Sequence, residues 1–251
     1  MASRFAFLKA WLGVGLGISI WTLPLWAIAV EFKPPKRGIP GRREGAGTRG
    51  PACVQSSPNL TALLPQTNLG LTTAEYPQFF WYVPKTRAKA VKFVLFKGDE
   101  QEPEQEVVYE KTLELSGKPG VVSFTLPKTA EVSPLAIGQD YYWTVTLLCN
   151  PTDPINNIYT SGWVQRIAVE PTLAKQLTRA KSSDRVKLLA ENGIWFDTVS
   201  TLAQMRCTSP SDTTLASSWS ELLKSVKLDK VAAQALDQPC EALKAKTTNN
   251  T

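Results

Sequence analysis

Residues 135–149 read LAIGQDYYWTVTLLC, and the pattern in this stretch decides the fold class. Tyr141, Trp143, Val145, Leu147 and Cys149 fall on one face by the two-residue period of a strand. Tyr142, Thr144, Thr146 and Leu148 fall on the other, more polar face. Such a strand buries one side against a core. A leucine (Leu135), a turn glycine (Gly138) and a tyrosine entering a strand (Tyr141) are similar to a tyrosine corner. There the tyrosine hydroxyl bonds back to the backbone and fixes the turn of a Greek-key sandwich. This signal speaks to fold and not to activity.

Working outward, six further strand-like runs occur at residues 60–64, 79–83, 90–96, 106–115, 121–126 and 158–169, separated by Pro65, Pro77, Pro84, Gly98, Pro103, Gly117 and Gly120. Seven such runs predict an antiparallel β-sandwich of fibronectin III or Ig-like type over residues 53–170. Alternation in Phe79-Phe80-Trp81-Tyr82 sends two aromatics to each face. One pair fills the core. The other pair, with Phe80 and Tyr82 as the candidate ligand surface, is either covered by the helical half or forms an exposed platform for sugar rings or a partner protein. Burial is the expectation, because large exposed apolar patches are uncommon.

From Pro171 the period changes to that of helices. Pro171 opens a helix with Leu173, Leu177 and Ala180 on one face. Ser183 is placed to cap a second that ends at Asn192-Gly193, and a third covers Trp195 to Met205. Asp212 is placed to cap a fourth, with Leu215, Trp219, Leu222, Leu223 and Val226 as its stripe, and Asp229 a short fifth. Gly193-x-Trp195, Leu202 and Pro210 resemble part of a tetratricopeptide repeat, although Val186 stands where a small residue belongs. The chain is therefore expected to be α+β, with a repeat-like α-helical bundle over 171–240 and a disordered tail over 241–251.

The N-terminus reads as an export signal. Arg4 and Lys9 precede an almost wholly apolar stretch over 10–29, which Pro24 breaks before Ala27-Ile28-Ala29. Cleavage after Ala29 is expected, with retention as a membrane anchor the alternative. Residues 30–52 follow as a basic Gly/Pro/Arg-rich linker, expected to be extended or mobile. Its Lys36, Arg37, Arg42, Arg43 and Arg49 make a candidate surface for an anionic polymer or lipid. Export makes the four cysteines candidates for two disulfides. Of three pairings, Cys53–Cys149 and Cys207–Cys240 are expected, one in each half. In an up-and-down bundle Cys207 and Cys240 follow helices that end on the same side.

The chain has 251 residues, a formal net charge of +6 and no histidine. The last fact removes Ser-His-Asp and Cys-His catalysis, imidazole metal ligands and a histidine pH switch. Phosphate loops, dinucleotide fingerprints and zinc spacings are absent from the sequence, and no nucleic-acid module is recognisable. No cofactor, metal or catalytic residue is therefore assigned. The acidic run over 99–106 is expected to be a solvated hairpin loop. Asp153, in the polar loop over 150–157, is explained by turn chemistry without a calcium ion.

Three functions compete. The first is a non-catalytic binding or scaffolding protein in the periplasm or outside the cell, with an envelope protein or anionic polymer as partner. The second is a carbohydrate-active envelope enzyme using paired carboxylates, for which Asp140, Glu170 and Asp197 stand nearest to aromatics. The third is a recognition module for acidic glycans or lipids, acting through residues 33–49.

RGIPGRREGAGTRGPAC, LTALLP, GLTTAEYPQFFWYVP, DYYWTVTLLCNPTD, SGWVQR and ENGIWFDTVSTLAQMR resemble the cyanobacterial domain of unknown function 928 family. That resemblance implies a cyanobacterial envelope or secreted protein. It implies no activity, cofactor or catalytic residue.

Overall fold

The computed structural model describes residues 30–45, 53–54, 57–150 and 156–236; the expected signal over 1–29 and the tail over 241–251 lie outside them. Eight strands precede five helices among the described residues. The strands are β1 (Thr61–Ala62), β2 (Leu69–Thr72), β3 (Gln78–Val83), β4 (Ala90–Lys97), β5 (Glu106–Glu114), β6 (Gly120–Thr125), β7 (Asp140–Leu147) and β8 (Ile158–Arg166). The helices are α1 (Pro171–Arg179), α2 (Ser182–Glu191), α3 (Trp195–Thr208), α4 (Thr213–Ser225) and α5 (Asp229–Ala232).

The strands form a three-stranded sheet in the order β1-β3-β6 and a five-stranded sheet in the order β2-β8-β7-β4-β5. All pairs are antiparallel except β2 with β8, which run parallel. Aromatic side chains join the sheets face to face. Phe79 of β3 lies 4.9 Å from Phe93 of β4 and 5.3 Å from Trp143 of β7, and Phe124 of β6 lies 4.9 Å from Phe93. Edge and tilted pairs of this kind add about 1 kcal/mol each to the area they bury. Phe196 of α3 reaches the same Phe79 ring at 5.4 Å, so helix and sheets share one buried cluster.

The corner residue behaves as its spacing predicts. Tyr141 Oη accepts the Ala136 N–H at 3.0 Å, and Gly138 turns the chain at φ +80°. Tyr141, Trp143, Val145 and Leu147 are buried. All seven expected runs contain a strand, but β2 was not among them. Its sequence, LGLT, is too short and too interrupted by Gly70 to carry a periodic signal. Packing makes it a strand: a Cβ on Gly70 would come within 2.5 Å of the Phe196 ring, so only glycine lets α3 lie that close.

Two helix starts differ from expectation. Asp212 does cap α4, accepting from the Thr214 and Leu215 N–H groups. Ser183, however, lies inside α2, whose cap position is Lys181 with extended backbone and no side-chain bond. Asp229 is the first residue of α5 rather than its cap, which is Leu228. There its charge faces the helix N-terminus without accepting a capping bond.

The described part of the linker, residues 30–45, is folded against the body rather than extended or mobile. Val30, Phe32 and Ile39 are buried, and Phe32 packs edge-on against Trp195 with ring centres 4.7 Å apart. The segment also supplies backbone partners. Ser161 N–H donates to Arg42 O, Ala62 N–H to Arg43 O, and Gly45 N–H to Leu60 O. Close approach requires the glycines: a Cβ on Gly41 would fall 1.6 Å from Asn68 Nδ2. A composition rich in glycine and arginine thus codes here for an ordered strap.

Cys53 is bonded to Cys149, tying the start of the strand region to the end of β7. Cys207 is not a free thiol. Cys240, its expected partner, lies outside the described residues. No helix among the described residues is long and apolar enough to cross a membrane.

Candidate functional site

The strap spends its guanidinium groups on the chain itself. Arg37 donates to Asp140 Oδ2 at 2.6 Å and Glu100 Oε1 at 2.9 Å. The hydrogen bond with Asp140, followed by that with Glu100, raises its pKa above the ordinary guanidinium value. Arg43 reaches the end of α4. Its Nη1 donates to Val226 O at 2.8 Å and Leu64 O at 3.3 Å, and its Nη2 to Lys227 O at 3.0 Å. Lys227 holds a left-handed φ of 61°, so Arg43 satisfies the carbonyls that a helix terminus leaves open. Burial lowers the Arg43 pKa from its usual value. Arg42 lies over the Tyr159 ring, 4.8 Å from its centre, and Lys36 is exposed. Arg49 lies outside the described residues.

The aromatic half of the candidate surface is in the core. Phe80 and Tyr82 are 2% and 3% exposed and belong to the cluster that also holds Trp219, Leu222 and Val231. Burial raises the Tyr82 pKa. They form no platform beside the strap, and the six described candidate surface residues do not converge.

The three acids near aromatics hold separate positions. Asp140 accepts from Arg37 on one oxygen and from Gln165 Nε2, at 2.8 Å, on the other. Glu170 is the cap position of α1 and makes no capping bond. Asp197, in the first turn of α3, accepts from Thr72 Oγ1 at 2.6 Å, from Thr73 N–H at 3.1 Å and from Thr73 Oγ1. It clamps the helix to the end of β2. Asp197→Ala is expected to lower stability by about 2 kcal/mol, because hydrogen bonds to a charged group are lost and two hydroxyls lose their partner. A urea midpoint unchanged within error would show that the clamp contributes nothing.

Two other acids share a cleft. Glu44, from the strap, and Asp229, from α5, line a space of about 160 Å³ together with Asn59, Thr61, Lys227 and Lys230. Sequence reasoning did not join them, since 185 positions separate them and no motif marks either. Among the described residues no group of three or more His, Cys, Asp or Glu comes together to hold a metal ion.

A further feature escaped the sequence reading. β5 forms the end of the five-stranded sheet and is largely exposed, with Val107 55% accessible. Its period-two pattern is weak, and only strand order reveals that nothing described lies beyond it.

The model of the family described as Domain of Unknown Function (DUF928) matches residues 44–236, well over half of the chain. No curated protein and no solved structure matches it.

Proposed function

The chain belongs to the DUF928 family, and from that premise we propose that it is an exported, non-catalytic binding or scaffolding protein. The observation that carries this reading is the internal use of its reactive side chains. Asp140, Asp197, Arg37 and Arg43 each hold the fold together, and the aromatic run is buried. What remains for function is surface shape and surface charge.

Export is supported by the apolar stretch over 10–29 and by the Cys53–Cys149 bond, which suits an oxidising compartment. A fibronectin III or Ig-like relation of the sheets is supported by the Tyr141–Ala136 bond at the corner. A repeat-like hairpin is supported by α2 and α3 meeting at Gly193, whose φ is +71°. A periplasmic or extracellular location and an envelope protein as partner complete the proposal.

The test uses the exported protein, coupled to resin and incubated with envelope extract. Saturable retention of one protein or polymer, lost when the resin-bound protein is unfolded by heat, is the expected result. A monodisperse folded protein that retains nothing sinks the reading.

A further inference from the structure

The edge of a sheet is a row of unpaired N–H and C=O groups, which a chain either covers or leaves to a partner. Two of the four edges here take backbone hydrogen bonds from other described segments, and a third is closed at its end. The strap covers β1, through Ala62 N–H to Arg43 O at 2.8 Å and Gly45 N–H to Leu60 O at 2.7 Å. The segment after α5 reaches β6, through Val121 N–H to Ala235 O at 2.9 Å. At β2, α3 packs on the face of the strand at Gly70, and its Asp197 takes the Thr73 N–H, at 3.1 Å, only at the end of the edge. The fourth edge, the outer side of β5, takes no hydrogen bond from any described residue.

This edge is long and only partly protected, by charged side chains and by a register shift opposite Leu95/Phe96. β5 has nine residues, no proline and one lysine, and an exposed valine at 107. Its charge is one-sided. Residues 99–114 hold seven acids and one base, Lys111. Glu110 and Glu114, opposite Val94 and Ala90, share a face, whereas the register shift at Leu95/Phe96 puts Glu106, opposite Lys97, on the other; of the three, Glu110 pairs with Lys92 at 2.9 Å. A second copy laid edge to edge would set these acids against their own kind, which is unfavourable. A strand carrying lysine or arginine at alternate positions would instead place cations opposite Glu110 and Glu114.

We propose that the β5 edge takes up an extended cationic segment of a partner protein as an added strand. Backbone hydrogen bonds would supply the affinity and the glutamates the choice of sequence. The proposal rests on the binding-protein reading above.

Its test uses the exported full chain and three end-blocked octapeptides: alternating Lys-Val, alternating Glu-Val, and Lys-Val N-methylated at every second residue. The Lys-Val peptide is expected to bind and to slow amide exchange within residues 106–114. The N-methylated peptide keeps the charge but loses one row of donors, and should bind at least about tenfold more weakly. The triple variant E106K/E110K/E114K should weaken Lys-Val binding by at least about tenfold. Equal binding of the N-methylated peptide, which needs no variant, overturns the proposal. So does an absence of binding or of protection at β5, or a dimer that the triple variant abolishes. An envelope component retained equally by wild type and the triple variant overturns this site and leaves the broader reading intact. A wild type that retains nothing overturns the broader reading.

Discussion

Cys149→Ser is expected to destabilise the protein by about 4 kcal/mol, since removing the bond restores the freedom of a closed loop of nearly a hundred residues. The two cysteines are 96 positions apart, and the loop they close contains β1 through β7, the whole three-stranded sheet and four of the five strands of the other. A cross-link of that span restricts the unfolded chain more than any short bridge would. The melting temperature should fall by roughly 10 °C for a chain of this size. Cys53→Ser should reproduce the loss, and the double variant should cost no more than either alone, because one bond is removed in all three. Single variants are the cleaner comparison, since a reductant would also reach the bond at Cys207. A midpoint shift under about 1 kcal/mol would mean that the unfolded chain is already held by other contacts.

Trp195→Ala should cost about as much, roughly 4 kcal/mol, for a different reason. Trp195 is 1% exposed and opens α3. Its indole Nε1 donates to Leu63 O at 2.7 Å, its ring takes the edge of Phe32, and its Cδ1 lies near Gly70. Truncation therefore leaves a cavity between strap, sheet and helix, and a buried carbonyl without a donor. Trp195→Phe should recover about half of the loss, as it restores volume but not the hydrogen bond. Trp143→Phe is the useful contrast, because the buried Trp143 indole N–H has no hydrogen-bond partner among the described residues and so no such bond to lose. Equilibrium denaturation measures all three. Amide exchange around Phe32 supplies a second readout, since the strap should loosen in Trp195→Ala and not in Trp143→Phe. A strap equally protected in every variant would show that its anchoring lies at Ile39 and Arg43 instead.

Legibility in the sequence followed locality. Alternation over Tyr141 to Leu147 required only neighbours, and the strand and its buried face are where it puts them. Asp212 required only the next three residues, and it caps α4. Ser183 had the right chemistry for a cap but was passed over, because entry into α2 is set by the extended backbone at Lys181. The candidate surface was less legible. Arginine and glycine in the linker read as a solvated arm because composition has no term for a partner 183 positions away, which is where Arg43 finds Val226. The aromatics of β3 are all buried because that strand is central in its sheet and covered on both sides, which alternation alone does not state.

Periodicity and turn chemistry act over a few residues, and they were enough for the strand-rich then helical order of the chain and the corner at Tyr141; the pairing of Cys53 with Cys149 was favoured among three only by placing one bridge in each half. Packing acts between distant segments, and it alone made β2 a parallel strand, folded residues 30–45 into a strap and left the outer edge of β5 without a neighbour among the described residues. The division has one cause: short-range backbone preferences are written in adjacent side chains, whereas the burial of an arginine or the exposure of a strand edge depends on what the rest of the chain places beside it.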